Sequence, residues 1–72
     1  MVYDYSKLLG RITEIFKNQA NFAKAMGLSE RTISLKLTQK IGWRQNEIVR
    51  ACDVLHIGFD EIPVYFFVLK VQ

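Results

Sequence analysis

Residues 19–34 read QANFAKAMGLSERTIS, and they contain two short helical patterns that meet at a glycine. The apolar residues at helical spacing in the first pattern are Phe22, Ala23 and Met26. Gly27 follows, where helices commonly end in the left-handed conformation that glycine adopts without a Cβ penalty. Ser29 is a preferred N-cap residue and predicts a further helix that runs to about Gln39. Two short helices joined by so tight a turn indicate a helix-turn-helix.

Two further amphipathic segments flank this pair. The preceding helix is predicted over residues 7–16, with Asp4 or Ser6 as its cap, and Asn18 is the expected N-cap of the next. The apolar residues at helical spacing are Leu8, Leu9, Ile12, Ile15 and Phe16 in the preceding segment, and Ile48, Val49, Cys52 and Leu55 in the following one. Residues 40–43 are expected to form a loop. The periodicity therefore predicts an all-α domain.

The C-terminal residues 59–72 form an apolar tail. Asp60 is expected to cap a short turn that has Pro63 in its first turn, followed by a short helix and an extended segment. The large apolar residues of the tail are Phe59, Ile62, Val64, Tyr65, Phe66, Phe67, Val68 and Leu69. One core-facing stripe absorbs about half of them, so we expect some, such as Phe67, to meet a partner. The alternative is that the tail folds back and seals the core with Phe66 inward, and the two arrangements are compatible.

The composition limits the classes of function. Seventy-two residues predict one domain over 1–72, and one cysteine excludes an internal disulfide. The chain has no long apolar run and no leader pattern, so we expect neither a membrane span nor secretion, and a cytoplasmic location. Cys52 lies on a buried stripe, and His56 follows the last apolar residue of its helix as a capping residue. We therefore expect no enzyme activity, no cofactor, no metal and no small-molecule substrate.

The charge is distributed unevenly along the chain. Residues 1–50 contain nine basic and four acidic side chains, a net charge of +5, whereas residues 51–72 contain one and three, a net charge of −2. A basic body suggests a polyanionic partner such as nucleic acid. The alternative is an ordinary solvated surface.

The helix after Ser29 has two distinct faces. Ile33 and Leu37 define its buried side, and Arg31, Ser34, Leu35 and Thr38 fall on the opposite side. In the major groove, arginine bonds guanine, hydroxyl groups bond either kind of base edge, and an aliphatic group meets a thymine methyl. The face is therefore suited to double-stranded DNA. A solvated corner of a protein that binds no nucleic acid remains the alternative.

Residues 19–38 resemble the helix-turn-helix of the Cro/repressor class of phage regulators, which have a five-helix lambda-repressor-like DNA-binding fold. With MVYDYSKLLGRI, SERTISLKL and EIPVYFF, the whole chain resembles the small Cro-like "modulator of repression" antirepressors from temperate phages of Gram-positive hosts. The resemblance implies a lysis–lysogeny switch protein in a bacterial host cell. Such a protein binds operator DNA, acts with or against the phage repressor, or does both.

The resemblance also implies residue roles. Base-facing positions correspond to Glu30, Arg31, Ser34 and Leu35. The expected contacts to the DNA backbone are Gln19, Lys24, Lys36, Thr38, Gln39, Lys40, Trp43 and Arg44. A loop anchor on the core is the alternative for Trp43, and a solvated surface position is the alternative for Lys24 and Lys36.

Two departures from the class favour a second function. Lys36 stands where the class has an aliphatic residue, and Glu30 and Leu35 replace base-reading amides. Glutamate is repelled by phosphates, and leucine reads little beyond a methyl group. The alternative is an antirepressor that sequesters the DNA-binding domain of the repressor in a hetero-complex. Its expected interface residues are Arg31, Leu35, Tyr65, Phe67 and Leu69, and a homodimer through the tail is also left open.

Overall fold

The computed structural model describes residues 2–71, so Met1 and Gln72 of the predicted domain lie outside the described residues. Over this range the chain forms five α-helices and one 3-10 turn. The helices are α1 (Ser6–Phe16), α2 (Gln19–Met26), α3 (Glu30–Leu37), α4 (Gln45–Leu55) and α5 (Ile62–Phe66), and the 3-10 turn is Phe59–Glu61. The predicted all-α, five-helix architecture is confirmed. No helix in the described range has the length and apolar character needed to cross a membrane.

The turn between α2 and α3 has the predicted chemistry. The Asn18 side chain accepts a hydrogen bond from the Asn21 backbone N–H at 2.9 Å and caps α2. Gly27 ends α2 in the left-handed conformation with φ of 71°. The Ser29 hydroxyl accepts from the Thr32 backbone N–H at 3.0 Å and caps α3. Local capping therefore fixes where both helices begin and where α2 ends.

Helix α2 lies at the centre of the core and packs against α1, α3 and α4, while α5 packs against α1. The buried apolar side chains are Tyr5, Leu8, Ile12, Phe22, Ala23, Met26, Ile33, Leu37, Ala51, Cys52, Leu55, Ile57 and Phe66. Leu9 and Val49 were predicted on buried stripes but are exposed. The domain is small enough that each helix buries only a narrow strip, and residues at the margin of that strip remain in contact with solvent.

The two ends of the described chain run side by side. The Asp4 N–H donates to the Val68 carbonyl at 2.7 Å, and the Lys70 N–H donates to the Val2 carbonyl at 2.9 Å. These bonds form an antiparallel bridge around Tyr3 and its opposite residue in the tail. The expected order of a short helix followed by an extended segment is therefore observed after the 3-10 turn.

Two capping predictions need correction. Asp60 lies inside the 3-10 turn, and the Glu61 carboxylate accepts the Gly58 N–H at 3.1 Å in its place. At the start of α1, the N-cap residue is Tyr5, and the Asp4 carboxylate accepts from the Ser6 hydroxyl and backbone N–H. These two bonds lower the pKa of Asp4. Pro63 does lie in the first turn of α5, as predicted.

The end of α4 is closed by His56, which the sequence predicted as a capping residue, and by Arg11, which the sequence did not indicate. His56 is its C-cap in the left-handed conformation, with φ of 56°. Arg11 of α1 donates from Nε to the Leu55 carbonyl at 2.9 Å and from Nη2 to the His56 carbonyl at 3.3 Å. Its Nη1 also pairs with Glu14 at 2.8 Å. The guanidinium therefore satisfies two carbonyl groups that the helix leaves unpaired.

Candidate protein and nucleic-acid interface

The outer face of α3 has the orientation that the sequence predicts. Ile33 and Leu37 are buried, whereas Arg31 and Ser34 are exposed and Leu35 is half-buried. Glu30 is also exposed, at the first residue of the helix. The structure therefore brings the four residues predicted to face bases to one accessible side. Whether they contact bases stays a prediction.

Some of the predicted backbone contacts are accessible and some are not. Lys24, Lys40 and Arg44 are exposed, and Gln19 is half-buried at the start of α2. Thr38 is exposed, but its hydroxyl donates to the Ser34 carbonyl at 2.8 Å. Of the basic side chains predicted to contact phosphates, Lys24, Lys40 and Arg44 are therefore accessible.

Lys36 is the clearest error in the predicted site. Its side chain is buried, with 3% of the residue surface exposed. Its Nζ lies 2.6 Å from the Glu47 carboxylate and donates to the Gly42 carbonyl at 2.9 Å. The same ammonium lies 5.7 Å from the centre of the Trp43 ring. Because its charge is paired inside the domain, Lys36 is not a surface contact for phosphate.

Glu47 completes this buried polar cluster. Its carboxylate also accepts the Arg44 backbone N–H at 2.7 Å and so caps α4. Burial raises the pKa of Glu47, but the Lys36 ammonium and the Arg44 N–H outweigh it and lower the pKa below the ordinary value. Glu47 is therefore ionised near neutral pH, and the Lys36–Glu47 pair joins α3 to α4.

Gln39 and Trp43 also have structural roles. The Gln39 amide donates to the Tyr3 carbonyl at 2.6 Å and accepts the Tyr3 N–H at 2.8 Å, so it holds the N-terminal segment instead of a phosphate. The backbone of Gln39 is in the left-handed region, with φ of 64°. Helix α3 therefore ends at Leu37, two residues before the predicted end. Trp43 packs edge-on against Phe66, with ring centres 5.3 Å apart. The loop-anchor alternative for Trp43 is the one observed.

An apolar groove lies between α4 and the C-terminal elements, with a volume of about 560 Å³. We define the apolar groove by its lining residues, which are Trp43, Gln45, Ile48, Val49, Phe59, Ile62 and Phe67. Phe59 is 67% exposed and Phe67 is 50% exposed. Water therefore contacts large aromatic surfaces, which is typical of a site that another molecule covers.

A smaller aromatic pocket of about 240 Å³ adjoins the apolar groove. The two share Trp43, Ile48 and Phe67, and the pocket is completed by Tyr3, Tyr5, Gly42 and Phe66. The Trp43 Nε1 is buried without a well-aligned hydrogen-bond partner in the described chain. Burial and the nearby Tyr3 raise the pKa of the Tyr5 hydroxyl, and the Trp43 indole partly opposes this. The pocket thus has an apolar wall, and two of its polar groups, the Tyr5 hydroxyl and the Trp43 indole N–H, lie near each other.

The predicted interface residues divide between the two surfaces. Arg31 and Leu35 belong to the outer face of α3, and Phe67 belongs to the apolar groove. Leu69 is half-exposed beside the terminal bridge, and Tyr65 is largely packed against the core. Sequence reasoning named Phe59 only as part of the tail. A lone phenylalanine directly after Gly58, off every helical stripe, is the signal that indicates its exposure.

Cys52 is buried, and this burial raises the pKa of its thiol. Among residues 2–71, no three histidine, cysteine or acidic side chains come together as a metal site. The surfaces described above are suited to binding.

Comparisons with known proteins agree with the sequence resemblance. The sequence profile of the family described as "Protein of unknown function (DUF739)" matches residues 1–68. The chain is similar to the solution structure of the modulator of repression (MOR) of the temperate bacteriophage TP901-1 from Lactococcus lactis. The two share 57% identity and a TM-score of 0.84, over 100% of this chain and 97% of the other. A search among curated proteins gave no significant match. The resemblance to modulator of repression proteins is thus confirmed.

Proposed function

The chain belongs to the DUF739 family and shares a family with the modulator of repression of phage TP901-1, and from this we propose that it regulates a phage repressor. The proposed setting is the switch between lysis and lysogeny in a bacterial host cell. The proposed mechanism is binding to the repressor protein, in a hetero-complex that competes with the operator. This function requires no catalysis and no cofactor.

The observation that carries this proposal is the apolar groove. Phe59 and Phe67 expose aromatic rings next to Val49, at the edge of a core that has already buried Phe66. Covering one such ring contributes about 1.5–3 kcal/mol to association. Aromatic anchors of this kind commonly dominate the binding energy of protein interfaces. The relative named as a modulator of repression suggests which protein covers the groove.

The chemistry of α3 supports the same choice. Lys36 is neutralised by Glu47, and the Gln39 amide is occupied by Tyr3, so two of the predicted phosphate contacts are lost. Glu30 adds a negative charge at the point where α3 begins. Phosphate contacts supply most of the affinity for DNA, so fewer of them predict weak binding to DNA alone.

Operator DNA remains a second candidate ligand because of one specific observation. Arg31 and Ser34 are exposed on α3, and Lys24, Lys40 and Arg44 are exposed on neighbouring segments. In the DNA-binding alternative, Arg31 reads a base and the other three cations contact phosphates. Each phosphate contact contributes about 0.9 to the slope of log K against log salt.

One titration separates the two candidates. Operator DNA of the cognate phage is titrated with this protein alone and then with the repressor present, each at two salt concentrations. We expect little binding by the protein alone and a loss of the repressor–operator complex when both proteins are present. Tight binding by the protein alone, with a steep salt slope and no effect on the repressor, would contradict the proposal.

Two variants locate the surface. Phe59→Ala is expected to weaken the repressor complex roughly 10- to 100-fold, from the loss of about 1.5–3 kcal/mol. The matched control is Val64→Ala, another exposed apolar residue of the C-terminal region that lies outside the apolar groove. Arg31→Ala weakens the repressor complex if α3 joins the interface, whereas it relaxes base preference if α3 reads DNA. An effect of Val64→Ala as large as that of Phe59→Ala would remove the groove from the interface.

A further inference from the structure

The loop between α3 and α4 forms one wall of the apolar groove. Trp43 lies near the end of this loop and lines both the groove and the aromatic pocket. Helices α3 and α4 each pack on α2 and have little direct packing on each other. The neighbouring residues Ile41 and Gly42 are exposed. The position of the wall therefore depends on the few contacts that the loop makes.

The buried Lys36 ammonium makes three of these contacts. It donates a hydrogen bond to the carbonyl of Gly42, the residue before Trp43, at 2.9 Å. It pairs with Glu47 on the first turn of α4 at 2.6 Å. It also lies 5.7 Å from the centre of the Trp43 ring, within the range of a cation–π contact. A single ammonium thus ties together α3, the loop backbone, the indole ring and α4.

We propose that Lys36 and Glu47 are positioning residues for partner binding, because they hold Trp43 in place as the wall of the apolar groove. This inference rests on the proposed function. Neither side chain contacts the partner: Lys36 is buried, and Glu47 faces it and the Arg44 N–H. Their effect on binding is exerted through the backbone at Gly42 and through the Trp43 ring.

A role in stability alone does not account for the pair. Buried ion pairs are often replaced by apolar residues of similar volume with little loss of stability, or with a gain. An apolar replacement, however, cannot donate a hydrogen bond to the Gly42 carbonyl. Lys36 supplies this directional bond, Glu47 balances its charge, and the consequence of the bond is the geometry of the loop.

The test uses the double variant Lys36→Met/Glu47→Leu, which leaves no unpaired charge in the core. Trp43 is the single tryptophan of the chain, so its fluorescence reports on this loop alone. We expect a cooperative urea unfolding curve, an acrylamide quenching constant at least twice that of the wild type, and repressor binding weakened tenfold or more. Lys7→Met is the matched control, because Lys7 is an exposed lysine on α1 outside the groove and the aromatic pocket.

A second variant covers the case in which the double variant fails to fold. Glu47→Gln keeps an oxygen that accepts the Arg44 N–H but removes the charge that faces Lys36, and a smaller increase in quenching is expected because Lys36 can still bond the Gly42 carbonyl. Unchanged quenching and an unchanged indole N–H resonance in the folded variants would overturn the inference. So would increased quenching with wild-type repressor binding. If the wild-type protein binds no repressor, the proposed function itself is wrong. If the wild type binds and only the variant results disagree, the positioning role of Lys36 and Glu47 is wrong.

Discussion

Replacing Gly27 with alanine changes the backbone preference at the end of α2 and little else. A Cβ built at this position meets no atom within 4 Å, so the substitution creates no clash. The backbone, however, has φ of 71°, in the left-handed region. The Gly27 N–H bonds the carbonyls of Ala23 and Lys24, and alanine retains that N–H. The whole cost therefore comes from conformation.

That cost follows from two opposing contributions. An L-residue in the left-handed region costs about 1–2 kcal/mol relative to glycine. Alanine also restricts the unfolded chain, which returns about 0.4–1 kcal/mol. We expect Gly27→Ala to lower the free energy of unfolding by about 1 kcal/mol. For a domain of this size, Tm then falls by about 4–8 °C.

Gly10→Ala is the matched control, with the opposite expected sign. Gly10 lies within α1, its added Cβ also meets nothing within 4 Å, and its backbone is helical. Alanine is favoured over glycine in a helix by about 1 kcal/mol, so this variant is expected to be more stable than the wild type. Urea unfolding followed by Trp43 fluorescence measures both. If Gly27→Ala is as stable as the wild type while Gly10→Ala gains stability, the conformational explanation of the α2–α3 turn is wrong.

Three further predictions concern packing and ionisation. Arg11→Met removes the cap on the last carbonyls of α4 and is expected to lower the free energy of unfolding by about 1–2 kcal/mol in urea, whereas Lys7→Met changes it little. The folded-state pKa of Glu47 lies below its ordinary value of 4.5, so its contribution to stability is complete above that pH and is lost as the pH falls through the folded pKa. Unfolding midpoints between pH 7 and 3 should decline less steeply for Glu47→Gln, and parallel curves would contradict this. Cys52 is buried with a raised pKa, so a thiol reagent is expected to modify the native protein at least 100-fold more slowly than the urea-unfolded protein. Equal rates would show that the site is open.

The features that the sequence predicted correctly are local ones. Asn18 and Ser29 bond backbone groups three residues away, and Gly27 needs only its own φ. The physical causes of these features lie within a few residues, so the sequence displays them directly. The same holds for the periodic burial of α2 and for the inward position of Phe66.

The wrong and the missed assignments concern side chains whose partners lie on other elements of the fold. Gln39 bonds Tyr3, which is 36 residues away, and Arg11 bonds a carbonyl 44 residues away. Composition and periodicity do not specify such pairs. Lys36 did give a signal, because it lies three residues after Ile33 on the buried face of α3. Its partner Glu47 lies four residues before buried Ala51, on the apolar stripe of α4. Two opposite charges on apolar stripes are therefore a sequence signal for a buried ion pair.

The antiparallel bridge between residues 2–4 and 68–70 makes the backbone almost circular. A short peptide that joined the two ends would close the ring with little displacement, since the bonded pairs Asp4–Val68 and Lys70–Val2 already hold them together. Closing a loop of this length lowers the entropy of the unfolded chain, which in the simplest chain model raises the free energy of unfolding by about 4 kcal/mol. The two paired segments also lie next to the aromatic pocket, because Tyr3 lines that pocket and pairs with Leu69.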